Sequence, residues 1–303
     1  MQTATKPRSP QRFLDPEILS RITNLELLAK TVVEGFIAGL HKSPYRGFSV
    51  EFMEYRQYVP GDDPKRLDWK VYARSDRLFI KEFEDETNTN CYILLDVSNS
   101  MGYASEKVIK FDYASYLAAS LAYFMIRQRD SVGLYLFDHK LRTQLRPKSS
   151  SGHLHTILTT LETTELGTKS EMKKPFDELA DAIKRRGIVI IISDLLDDPD
   201  SILDGIKHFN FNGNEVLLFH ILDPKEVEFS FNDIVEIEDM ETGEKLMVMG
   251  EVARKVYQRN LNDFIERLKW QCGVLNIDYS KFVTDQPLDF ALFKYLAARA
   301  RRK

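Results

Sequence analysis

Short, almost uninterrupted apolar runs alternate along the chain with stretches whose apolar residues recur at helical spacing. "CYILLD" from Cys91, "SVGLYLFD" from Ser131, "GIVIIISD" from Gly187 and "EVLLFHILD" from Glu215 are the apolar runs. Runs of this length, rich in β-branched residues and bounded by acids, predict strands buried on both faces. Periodicity predicts helices over about 106–127, 153–162, 175–185, 201–209 and 252–271, and a last one from Leu288. "LRTQLRP" after a tight turn and "VLNIDYSKF" near the end read as further strands, and 227–248 as a hairpin-like insertion. Upstream, "DPEILSRITNLELLAKTVVEGFIAGL" predicts one capped helix from Asp15. Strands alternating with helices predict an α/β domain, a doubly wound, mostly parallel sheet flanked by helices.

The pattern divides the chain into three parts. Residues 1–14 are polar, contain two prolines and are expected to be disordered. Residues 15–88 hold the N-terminal helix and a turn-rich charged segment, expected to pack on the main domain formed by 89–303. In the charged segment Arg56, Arg66, Arg74 and Arg77 interleave with Asp62, Asp63, Asp68 and Asp76, around a Pro60-Gly61 turn and near Trp69 and Tyr72. Arginine–carboxylate pairs fix geometry, so this segment reads as a structural clasp, with a partner-docking face as the alternative.

Four apolar runs end in aspartate, at Asp96, Asp138, Asp194 and Asp223. In an open α/β sheet the carboxyl ends of parallel strands share one edge, where ligands bind. For Asp138 and Asp223 the plainer reading is that the acid starts the following loop. Asp96 differs, because "DVSNS" places Ser98 and Ser100 at alternate positions after it. A strand end followed by Asp, Ser and Asn also suits a helix cap. One carboxylate and two hydroxyls equally suit a hard divalent cation such as Mg²⁺, which takes oxygen ligands and keeps several waters. These donors under-neutralise the ion and leave it able to accept a carboxylate from a partner.

This D-x-S-x-S resembles the start of the metal-ion-dependent adhesion site of von Willebrand factor A-type domains. The resemblance implies two further ligand loops, a threonine before a helix and an aspartate after a later strand. The aspartate falls at Asp194 in "IIISDLLDD"; the Gly-Thr pair of "ELGTKSEM" offers Thr168, while counting back from "RRGIVIIISD" favours Ser170. The implied ligand set is Asp96, Ser98, Ser100, Thr168 and Asp194, holding Mg²⁺, or Mn²⁺ or Ca²⁺. The segment "EFMEYRQYVPGDDPKRLDWKVYARSDRLFIKEFEDE" and the closing "VTDQPLDFALFKYLAARAR" resemble the bacterial family called "domain of unknown function 58". Members of that family are often associated with MoxR-type AAA+ ATPases. The resemblance therefore implies a non-enzymatic, metal-dependent protein-interaction module, an adaptor or chaperone-like partner of such an ATPase, or of a client presenting a carboxylate. The alternative is a scaffold with a vestigial or structural metal site that binds through its charged N-terminal segment.

Other chemistries find little footing. An apolar strand ending in Asp96 also resembles the start of a haloacid-dehalogenase phosphatase. The acid/base carboxylate needed two residues later is Ser98, which cannot protonate a leaving group near neutral pH. No P-loop and no G-x-S-x-G elbow occurs. His153 and His155 read as surface or loop histidines, and Cys91 and Cys272 lack the spacing of a zinc site. A net charge of -4 over 303 residues gives no drive towards nucleic acid. The N-terminus lacks the apolar core of a signal peptide, and the longest uncharged run, Tyr113 to Ile126, is 14 residues, so no membrane span is expected. With 43% hydrophobic and 29% charged residues, a cytoplasmic location is the default expectation.

Overall fold

The computed structural model describes residues 16–40, 55–57, 79–81, 89–167, 172–229, 234–238 and 245–300. The chain falls into two compact units, one of Met1–Phe36 with Thr89–Lys303 and one of Ile37–Asn88. In the second unit β1 (Tyr55–Gln57) pairs antiparallel with β2 (Phe79–Lys81). The rest of the charged segment, with the clasp expected there, lies outside the described residues, as do residues 1–14.

The first unit is built on a six-stranded sheet. Its strands are β3 (Asn90–Asp96), β4 (Ser131–Phe137), β5 (Leu141–Lys148), β6 (Gly187–Ser193), β7 (Glu215–Leu222) and, after the separate hairpin β8 (Ile234–Glu238) and β9 (Lys245–Met249), β10 (Asp278–Val283). The spatial order is β10-β7-β6-β3-β4-β5, and every pairing is parallel except that of β5 with β4. The continuous apolar runs are the central strands, and all seven residues of β6 are buried. Edge strand β5 alternates exposed and half-buried positions and carries Pro147, which only an edge tolerates well.

Two helical layers cover the sheet, as expected of the doubly wound, mostly parallel sheet of a von Willebrand factor A-like fold. On one face α5 (Lys173–Ala182), α6 (Pro199–Phe211) and α8 (Gly250–Val274) bury Phe176, Phe209 and Leu268 against Tyr92, Leu94, Val189, Ile191 and Leu218. On the other, α3 (Lys110–Arg127) packs Phe124 edge-on against Phe36 of α2 (Leu25–Leu40) and Tyr295 of α9 (Asp289–Ala300). Each fully buried Leu, Ile or Phe contributes about 1.5–3 kcal/mol, so the central strands are the main source of stability.

The local departures from the sequence pattern have identifiable causes. The helix expected from Asp15 is two helices, α1 (Pro16–Leu19) and α2, because the Asn24 side chain accepts Leu27 N–H at 2.8 Å and starts a new helix. Helix α3 starts at Lys110, four residues after the expected Glu106, because Ser105 donates its backbone N–H to Asp223 at 2.9 Å and holds the chain in a loop. His153 lies buried on α4 (Ser151–Glu162), with Nε2 at 2.8 Å from the Val132 carbonyl oxygen, and is no surface histidine.

Helix α9 is fastened at the amino-terminal edge of the sheet. Tyr295 Oη donates to the carboxylate of Asp130 at 2.7 Å, and Asp130, fully buried, also accepts from Thr89 N–H at 3.2 Å. Losing one donor to a buried carboxylate costs about 1–3 kcal/mol. Tyr295→Phe is therefore expected to lower unfolding free energy by that amount in urea titrations with the fold retained. An unchanged midpoint would show that the hydrogen bond contributes nothing net.

Candidate metal centre

Where the sheet order reverses, strand β3 has β4 on one side and β6 on the other, and the connections from β3 and β6 leave in opposite directions. Such a switch point opens a crevice at the carboxyl ends of the two strands. Asp96 is the last residue of β3, and Asp194 immediately follows β6. The parallel register sets Leu95 beside Ile192, so the two carboxylates meet across neighbouring strand ends. Both are fully buried.

The loop after β3 turns tightly around Asp96. Its Oδ1 accepts the Ser98 N–H at 2.8 Å and its Oδ2 accepts the Ser193 hydroxyl at 2.6 Å. The hydroxyls of Ser98 and Ser100 lie 3.0 Å apart, both buried, at the start of a 3₁₀ turn over Asn99–Gly102. Neither serine side chain caps that turn. The cap reading is therefore replaced by an Asx turn around Asp96 with two hydroxyls beside it. Burial first, and then the neighbouring Asp194 carboxylate, push the Asp96 pKa up to about 7, against the hydrogen bonds from Ser193 and Ser98.

Asp194 is placed differently. Its Oδ2 accepts the Lys110 ammonium at 2.8 Å, and among the described residues its Oδ1 accepts only a long 3.4 Å contact from Leu196 N–H. Leu195 between them adopts φ 54°, a left-handed conformation uncommon outside glycine, which sharpens the turn leaving β6. Lys110 Nζ also donates to Glu226 at 2.7 Å, and its side chain is 1% exposed. Burial pulls the lysine pKa down, but the two carboxylates outweigh it and hold the ammonium protonated. His220 sits behind Asp194, its Nδ1 2.7 Å from the Tyr279 hydroxyl; burial draws its pKa down to about 4, so it is neutral near pH 7.

The other two strand-end acids are structural, as the plainer reading expects. Asp223 caps α7 (Pro224–Glu228), accepting Lys225 N–H at 2.8 Å, while Glu226 closes the capping box by accepting Asp223 N–H at 2.8 Å. Asp138 accepts Lys140 N–H at 3.1 Å in the turn into β5. The loop after α4 reaches the centre at Gly167, whose N–H donates to the Val97 carbonyl at 2.6 Å. A Cβ there would meet Asp138 Oδ2 at 2.2 Å, so any larger residue would have to displace that side chain. Thr168 and Ser170 lie outside the described residues.

Four of the expected ligand residues, Asp96, Ser98, Ser100 and Asp194, are thus brought to one edge. Their donors are all hard oxygens, two of them hydroxyls in mutual contact, which fits Mg²⁺, Mn²⁺ or Ca²⁺ and not a soft metal. Among the described residues no group of three or more His, Cys, Asp or Glu side chains forms a metal cluster of the usual kind. Sequence reasoning missed Lys110, Ser193 and Glu226. A D-x-x-E capping box at "DPKE" was readable for Glu226. For Lys110 the only cue was a cation opening an apolar helix face.

The six-stranded, mostly parallel sheet with helices on both faces is an α/β architecture of the von Willebrand factor A-like kind. The chain belongs to the family described as protein of unknown function DUF58, whose model matches residues 54–264. It is 28% identical over 232 residues to the uncharacterized protein Rv1480 of Mycobacterium tuberculosis (strain ATCC 25618 / H37Rv), covering 76% of this chain and 73% of that protein. A shorter match, 33% identical over 79 residues, is to the uncharacterized protein YeaD of Bacillus subtilis (strain 168), covering 26% of this chain and 18% of that one. Solved structures similar to the chain include the conserved hypothetical protein BatB from Bacteroides thetaiotaomicron, at 14% identity and TM-score 0.49 over 70% of this chain and 98% of that one. The SpRpn10 VWA domain matches at 12% identity and TM-score 0.42, over 69% and 95%. Neither likeness bears on what the chain does.

The raised Asp96 pKa has a consequence for the metal-free protein. The folded state holds this proton up to about pH 7, while the unfolded chain releases it near 3.8. The stability the proton confers is present below about pH 4 and is lost as pH rises towards 7. In EDTA, the urea midpoint is expected to fall between pH 5 and about 7.5, and Asp96→Asn to flatten that fall. Parallel pH profiles for the two proteins would remove Asp96 as the cause.

Proposed function

We propose that the chain is a non-enzymatic, metal-dependent protein-interaction module. The observation that carries this reading is the pairing of Asp96 with two contacting hydroxyls, Ser98 and Ser100, at a sheet switch point. A divalent ion held there by Asp96, Ser98 and Ser100, with Asp194 and Thr168 completing the set, would supply an electrophilic centre open to a partner's carboxylate. The docking of Gly167 on Val97 supports Thr168 as the ligand from the second loop. Among the described residues both carboxylates of the site already have donors, Asp194 from Lys110 and Asp96 from Ser193 and Ser98. That arrangement favours recognition over turnover. Mg²⁺ is the expected ion, with Mn²⁺ or Ca²⁺ as substitutes.

The partner proposed is a MoxR-type AAA+ ATPase, or a client presenting a carboxylate, for which this chain acts as adaptor. That step rests on family resemblance and on the acid-accepting chemistry of the site. No helix among the described residues is long and apolar enough to cross a membrane. The second reading, a scaffold that binds through its charged N-terminal segment, finds support in Lys110, which already gives Asp194 a cation.

Affinity capture from the native host in Mg²⁺ and in EDTA separates the two. Capture of a MoxR-type ATPase in Mg²⁺, lost in EDTA and reduced at least about tenfold by Asp96→Ala or Ser98→Ala, is the expected result. Capture that survives chelation and both substitutions, but fails with Arg56→Ala or Arg74→Ala, would establish the scaffold reading instead.

A further inference from the structure

Lys110 stands at the junction of three loops. Its ammonium bridges Asp194 after β6 and Glu226 on α7, and its backbone N–H donates to the Tyr103 carbonyl at 3.1 Å, directly after the turn that carries Ser100. The Tyr103 ring covers the ammonium at 5.8 Å. Ser105 ties the same loop to Asp223 through its N–H and its hydroxyl. The segment from Asp96 to Lys110 is therefore closed at both ends on buried carboxylates.

Folding alone gives this trio little reason to be ionic. A buried ion pair adds little net stability over well-packed apolar side chains of the same volume. Charge balance supplies a reason. Among the described residues Asp194 and Glu226 contact Lys110 and Asp96 adjoins Asp194, and these four groups together carry −2 when all are ionised. Asp223, also fully buried, accepts from Ser105 and from Lys225 N–H and adds a further acidic group nearby. Among the described residues Lys110 is the only buried lysine or arginine, so it alone of these offsets the buried acids. The ammonium also distinguishes the two oxygens of Asp194: Oδ2 accepts it at 2.8 Å, while among the described residues Oδ1 accepts Leu196 N–H at 3.4 Å.

We propose that Lys110 is a tethered cation that sets the divalent affinity of this centre: it keeps the metal-free site folded and limits the ion's affinity to a reversible range. The proposal rests on the reading of Asp96, Ser98 and Ser100 as a cation site. Lys110 does not touch the ion; it acts through Asp194.

The test is Mn²⁺ binding to the full chain, followed by the electron paramagnetic resonance of free Mn²⁺, together with urea midpoints in EDTA. Lys110→Met keeps the length of the side chain, removes its charge and leaves a net −3; it is expected to bind Mn²⁺ about tenfold tighter and to lose stability in EDTA that Mn²⁺ restores. Glu226→Gln keeps the capping geometry and leaves a net −1; it is expected to bind about tenfold more weakly. Opposite shifts are what a charge-setting role requires and a purely structural one does not produce. Wild-type Mn²⁺ affinity in both variants would overturn the proposal while leaving the cation site standing. Absence of Mn²⁺ binding in wild type and in both variants would sink the cation site itself, and this proposal with it. Should Lys110→Met fail to fold with or without Mn²⁺, the direction of the Glu226→Gln shift decides.

Discussion

Two carboxylates, Asp96 and Asp194, are held out of water at the ends of adjacent parallel strands, and the surrounding structure answers that cost. Burying an ionised carboxylate costs several kcal/mol unless donors replace its lost hydration. Each acid meets the demand differently. Asp96 is served by neutral donors, the Ser98 N–H and the Ser193 hydroxyl, and keeps an elevated pKa. Asp194 is served by a full positive charge from Lys110. The pair is thus asymmetric: neutral donors serve one acid and a buried ammonium serves the other.

The apolar sheet makes this possible. Strands β3 and β6 contribute Ile93, Leu94, Leu95, Ile190, Ile191 and Ile192, all buried without exposure, and helices close both faces. Burial of these side chains, at about 1.5–3 kcal/mol each, supplies the surplus from which a charged centre can be maintained. The reversal of strand order between them then does the positioning, because the chains leaving β3 and β6 separate at their carboxyl ends. Position in the topology, more than any single contact, explains why these two acids form the centre while Asp138 and Asp223, at the ends of β4 and β7, serve as caps.

The sheet was legible in the sequence because doubly buried strands have no polar face to confuse them: "GIVIIISD" maps directly onto β6. The spacing of Asp96, Ser98 and Ser100 was legible because the donors belong to a single turn. The meeting of Lys110 with Asp194 and Glu226 was not, since these lie 84 and 116 residues from Lys110 in sequence and no local pattern encodes it. His153 misled for a related reason, as its burial depends on a carbonyl of β4 and not on its own helix periodicity. The break between α1 and α2 turned on one side chain, Asn24, competing with an otherwise unbroken apolar repeat.

The loop from Val97 to Ile109 draws these threads together. At its start Val97 gives its carbonyl to Gly167 and its N–H to the Phe137 carbonyl at 2.8 Å, so the loop bearing Ser98 is stitched to β4 and to the connection after α4. At its end Ser105 and Lys110 attach it to the ends of β6 and β7. Every strand end around the switch point therefore holds the hydroxyl-bearing turn in place, and little of its geometry is left for a ligand to organise. A preformed cradle spends little of its binding energy on ordering the chain. On the function proposed above, such a preformed turn would let a partner engage and leave without refolding.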